Sequence, residues 1–231
     1  MKKTKHPVVS VALSVIFTFS AMLSVSTAYA SDDTDTNAVR RYAIIITNIM
    51  HGHILAPPSV VAHNSNFKMF TLGGTASPGV AALAETPSGA LFLSESAALP
   101  TVYSTAISSS VIPPGGTQTL YIETTKNFPE VTVATMLATT NDAFMAAHNV
   151  RFPRTGSVTV EAIAYDAGTE VNSTDCAYVF GPPCNDLRHN PATAEGFVHI
   201  HPGISVGSGG LDPTVLDWRN PVAQIEIKRV K

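Results

Sequence analysis

Apolar and polar residues along the chain fall into short blocks with the period of strands rather than the 3.6-residue period of helices. Thr119-Leu120-Tyr121-Ile122-Glu123 alternates strictly and predicts a half-buried strand over 117–124. Ser157-Val158-Thr159-Val160-Glu161-Ala162-Ile163-Ala164 does nearly the same and predicts a strand running to Tyr165. The β-branched run 131–137 predicts another. Residues 42–49 form an almost continuous apolar run, which implies burial on both faces. Segments 196–201 and 222–230 read as the last strands, and 67–72 as a short one. A helix of one or two turns fits 80–84. Residues 91–111 carry no firm period before Pro113-Pro114-Gly115-Gly116 turns the chain, and Ser88-Gly89 and Ser208-Gly209-Gly210 read as turns. Segment 141–148 reads as a short helix capped by Asn141 or Asp142. No internal repeat is visible. The pattern, with abundant Ala, Val, Thr, Ser, Gly and Pro, predicts an all-β antiparallel sandwich.

The first thirty residues stand apart. Lys2, Lys3 and Lys5 precede an apolar stretch over 8–25, and Ala28-Tyr29-Ala30 is an A-x-A cleavage signature. This is the design of a bacterial secretory signal peptide over 1–30, which predicts a secreted or periplasmic protein. Residues 31–39 read as a disordered acidic leader, and 40–231 as one domain. Cleavage removes three of the 14 basic residues and none of the 17 acidic ones, so the net charge moves from −3 to −6. There is no basic stripe for nucleic acid, and no later segment reaches the ~20 apolar residues of a spanning helix, so no stable membrane insertion is expected after cleavage. Cys176 and Cys184, the only cysteines, form an even pair in an exported chain and predict a disulfide. Asn172-Ser173-Thr174 is a glycosylation sequon without meaning in most bacterial settings.

Carboxylates stand just past two of the predicted strands, in Thr140-Asn141-Asp142-Ala143-Phe144 and Tyr165-Asp166-Ala167-Gly168-Thr169-Glu170. If those strands end on the same side of a sandwich, Asp142, Asp166 and Glu170 converge. Three carboxylates without a basic partner raise one another's pKa, and a hard divalent cation relieves the repulsion. Calcium takes oxygen ligands from loops, and Gly168 suits the tight turn that would bring Asp166 and Glu170 round one ion.

The same residues carry a resemblance. Thr47-Asn48-Ile49 with Gly52 and Pro57-Pro58, His63, Gly73-Gly74-Thr75-Ala76-Ser77, Ala84-Glu85, Thr135-Met136-Leu137, the two aspartate loops and Ala223-Gln224-Ile225-Glu226-Ile227 occur in the order found in spondin domains. These are the N-terminal modules of F-spondin and mindin, and the chain resembles them in a bacterial form. The aspartate loops are the most specific of these matches. The resemblance implies a calcium-binding β-sandwich of C-two type, with metal ligands at Asp142, Asp166 and Glu170. The last is a glutamate where animal members carry aspartate. It also implies a non-enzymatic adhesion module whose partner is a surface or matrix protein or a glycan.

Other chemistries have weaker signals. His51 and His53 flank Gly52, and His199 and His201 flank Ile200, so the second pair shares one face of a strand. Two His-x-His pairs suit zinc or copper, but they lie far apart in sequence. They make a periplasmic transition-metal or hydrolytic protein the alternative reading, alongside a carbohydrate-binding module. His63 reads as a loop histidine held by hydrogen bonds.

Overall fold

A computed structural model describes residues 35–186, 188–204 and 210–231. The predicted signal peptide, residues 31–34 of the predicted leader and the Ser208-Gly209 part of one predicted turn lie outside the described residues. In the rest of the leader, Asp35 closes a short turn by accepting the Asn37 N–H at 2.8 Å.

The elements are β1 (Arg40–Asn48), β2 (Ser59–His63), α1 (Pro78–Glu85), α2 (Ala90–Ala97), β3 (Val102–Ile107), β4 (Thr117–Thr124), β5 (Glu130–Met136), β6 (Ala143–Arg151), β7 (Ser157–Asp166), β8 (His199–Ile200), α3 (Pro213–Leu216) and β9 (Ala223–Arg229). Neighbouring strands run in the order β3-β2-β5-β6-β7-β9-β1-β4, with β8 added beside β7, and every pairing is antiparallel. Strand β7 belongs to both layers. Its residues 157–162 pair with β9, and its last four pair with the start of β6. At the far side Ser104 Oγ on β3 donates to the Glu123 carbonyl on β4 at 2.5 Å, which draws the outer edges together. The result is a nearly closed antiparallel sandwich, as the alternating segments require.

Two cores explain which strands show a clear period. Between the layers lie Ile44, Ile46, Val60, Leu120, Ile122, Val133, Met145, Ile225 and Ile227. Outside the β5-β6 layer, α1 and α2 cover Val61, Phe67, Ala134, Phe144 and Tyr165 with Val80, Leu83 and Phe92. Strand β4 has one covered face and therefore alternates. Strand β5 is buried along its whole length and does not.

Four expectations change. Segment 141–148 is not a helix. From Ala143 it is strand β6, because Ala143, Met145 and Ala147 enter one core while Phe144 and Ala146 enter the other. That is a period of two with no polar position to reveal it. Segment 67–72 is not a strand: Phe67 and Met69 are buried by the helices. The ambiguous stretch 91–111 divides into most of α2 and all of β3. Strand β2 was assigned to no element, and His63 is its last residue rather than a loop histidine. The hydrogen bonds expected of His63 are present, to Asn64 O at 2.9 Å and Thr132 Oγ1 at 2.8 Å.

Candidate metal centre

The sheet register builds the site. Ala143 on β6 stands opposite Asp166 on β7, and Asp166 stands opposite His199 on β8. Asp142, one residue before β6, continues the ladder by accepting the Ala167 N–H on its carbonyl at 3.1 Å. The chain then turns at Gly168, which has φ +67°. A Cβ there would overlap the backbone of Phe197, and Gly168 O also receives the Gly196 N–H at 2.8 Å. Only glycine allows loop 167–172 to lie against residues 195–198.

Asp142 and Asp166 are fully buried. Asp142 Oδ2 accepts three hydrogen bonds, from Thr169 N at 2.7 Å, Glu170 N at 3.0 Å and Thr169 Oγ1 at 3.1 Å. Its Oδ1 is buried with no partner. Burial, then the charge of Asp166, pushes the Asp142 pKa up to about 7, against the pull of those bonds. Asp166 Oδ1 accepts the Gly168 N–H at 2.7 Å, and Oδ2 accepts Asn172 Nδ2 at 2.5 Å. Burial raises its pKa as well, opposed by Asn172, Gly168 and His199. Among the described residues no lysine or arginine pairs with either carboxylate.

Glu170 contributes differently. Its N–H caps Asp142, but its carboxylate faces the other way. Oε1 accepts the Asn190 N–H at 2.6 Å and lies 3.1 Å from His189 Nδ1, which is also 3.3 Å from Glu85. Burial raises its pKa, and Asn190 and His189 oppose the rise. The structure thus brings Asp142 to Asp166, and the Glu170 side chain to Asn190 and His189.

Three of the four paired histidines also meet here. His199 Nε2 lies 3.6 Å and His201 Nε2 3.8 Å from Asp166 Oδ2; the expected strand 196–201 shortens to β8, and His201 continues its ladder by donating its N–H to Ala164 O at 3.1 Å. His53 joins them through Trp218, whose ring lies 4.7 Å from that of His53 and 4.9 Å from that of His201. His53 Nε2 donates to Leu216 O at 2.5 Å. Burial holds His53 and His201 neutral, with pKa values near 4. His51 is exposed.

Sequence reasoning missed Glu195 and Asn172 as site residues. The Asn172 amide bridges Asp166 and Glu195, at 2.5 and 3.1 Å. Ligand atoms of Asp166, Glu195 and His199 all lie within 4.8 Å of one another. Glu195 sits in an irregular polar segment, and its only sequence cue was a position four residues before His199. The predicted disulfide joins Cys176 to Cys184, with Cα atoms 4.8 Å apart. Asn141 ties that loop to the site, donating to Tyr178 O and accepting from Ser173 N, both at 3.0 Å. Among the described residues no helix is long and apolar enough to cross a membrane. No protein-family model matches the chain and no curated protein does, so the site stands on its own geometry: an Asp/Glu/His group, with Asp166 buried, His199 half-buried and Glu195 exposed, that could hold a metal ion.

Proposed function

We propose that this chain is an exported, non-enzymatic interaction module of spondin type whose end loops are fixed by calcium. The observation that carries the reading is the Asp142–Asp166 pair: two fully buried carboxylates whose pKa values are raised by burial, that of Asp142 further by the charge of Asp166, and one with an oxygen lacking any partner. A buried charge without compensation is costly, and a hard cation on Asp142 Oδ1 and the Asp166 carboxylate removes that cost. Glu170 would complete the set by leaving Asn190 and His189, a movement its longer arm permits. Bound there, calcium would supply charge neutralisation and would cross-link loops 137–142 and 167–172.

Two further observations support the spondin reading. The two aspartate loops that carry the resemblance are direct neighbours across the β6–β7 ladder, and the fold is all-β. The partner class is a surface or matrix protein or a glycan, met in an oxidising compartment where the disulfide persists. Calorimetric titration of the exported chain with calcium tests this. One site in the micromolar to millimolar range is expected, lost in Asp142→Asn. Absence of binding at millimolar calcium would overturn the proposal.

A further inference from the structure

We propose that Asp166, Glu195 and His199 form a second metal site, suited to a zinc-class divalent ion and independent of Asp142 and Glu170. It goes beyond the calcium reading and shares only Asp166 with it.

The argument starts from the tautomer of His199. Its Nδ1 lies 3.1 Å from the Ile200 carbonyl, which can only accept, so Nδ1 carries the proton. Nε2 is therefore the ring atom left to ligate, and it faces Asp166 Oδ2 at 3.6 Å. A cation between Nε2 and the carboxylate, a proton or a metal ion, satisfies both groups. An Nδ1–H held by a carbonyl is also the arrangement that orients a metal-bound histidine. Asp166 is held in turn by Gly168 and Asn172, and Asn172 also holds Glu195. Two ligands are thus positioned before any ion arrives.

His201 is excluded as a ligand by the same logic. The Gly203 N–H donates to its Nδ1 at 3.1 Å, so Nε2 bears the proton and has no lone pair to offer. Its role is to direct that N–H toward Asp166. One imidazole with two carboxylates is a set for zinc rather than calcium, which prefers oxygen throughout. Ligand atoms around tetrahedral zinc stand roughly 3.3 Å apart. The present spread of up to 4.8 Å closes by a movement of Glu195, which is exposed and long. A solvent molecule takes the fourth position.

The test is titration of the exported chain with zinc by calorimetry, and with cobalt(II) by visible absorption, in wild type, His199→Ala, Glu195→Gln, His201→Gln and Asp142→Asn. One zinc site is expected, weakened at least about tenfold in His199→Ala and in Glu195→Gln. His201→Gln and Asp142→Asn retain it, and His199→Ala retains calcium binding. Zinc binding that is unchanged in His199→Ala is adventitious binding by other histidines and overturns the proposal, as does absence of zinc binding in wild type. The two proposals fail separately. A chain that binds calcium through Asp142 but no zinc through His199 refutes this one alone, and the converse refutes only the calcium reading.

Discussion

Replacing Asp142 by asparagine should stabilise the metal-free protein and destabilise the calcium-loaded one. In the folded chain the Asp142 pKa is pushed up to about 7 from 3.8, by burial and then by Asp166. A raised carboxyl pKa opposes folding. The penalty is fully present above pH 7, shrinks as pH falls and is gone near 3.8. Its full size is on the order of 4 kcal/mol at 1.36 kcal/mol per pKa unit. The amide removes it but weakens the bonds from Thr169 and Glu170, which lose charge assistance worth about 1–2 kcal/mol. A net gain of roughly 2–3 kcal/mol remains at pH 8, or about 5–10 °C in Tm for a chain of this size. His53 and His201 are present in both proteins, so the difference between variant and wild type reports Asp142 together with its coupling to Asp166. The assay is thermal melting in a chelator at pH 8, 7, 6 and 5, repeated in calcium. The advantage of Asp142→Asn should fade toward pH 5 in chelator and reverse sign in calcium. A variant less stable than wild type in chelator at pH 8 would refute the reasoning.

Two other outcomes follow from the same site. His53 and His201 are held neutral with pKa values near 4, lowered first by burial. Their contribution is therefore complete above pH 6.5 and is lost as pH falls from 6.5 toward 4; replacing His201 by Gln should flatten the acid limb of a urea-denaturation profile, and an unaltered limb would count against it. Reducing the Cys176–Cys184 bridge should lower stability by roughly 2–3 kcal/mol yet leave calcium binding measurable, because Asp142 and Asp166 are held by the β6–β7 ladder; calorimetry on the reduced protein would show the error if affinity vanished while circular dichroism stayed native.

What could be read from the chain depended on how many faces each element buries. Strand β4 was legible with its limits because Leu120 and Ile122 point inward while Tyr121 and Glu123 do not. Strand β6 was mistaken for a helix because its alanines are buried on both faces. Strand β2 is five residues long, follows Pro57-Pro58 and offers too short a run to show a period. Asp142 and Asp166 were recognisable because each follows an apolar run, 131–137 and 157–165, but their meeting depends on β6, which lies between β5 and β7 and was not legible. Glu195 and Asn172 were not, because their role depends on how loops 167–172 and 190–198 fold against each other. The approach of His53 to His201 likewise depends on Trp218, far from either in sequence.

The central claim is that a calcium ion lies on the Asp142–Asp166 pair, and a crystal structure of residues 31–231 grown in calcium tests it most directly. An anomalous difference peak in contact with Asp142 Oδ1 and the Asp166 carboxylate, with Glu170 turned away from Asn190 to join them, is the predicted result. A map in which Asp142 Oδ1 meets only water or a protein donor, with no ion between the two aspartates, would contradict it.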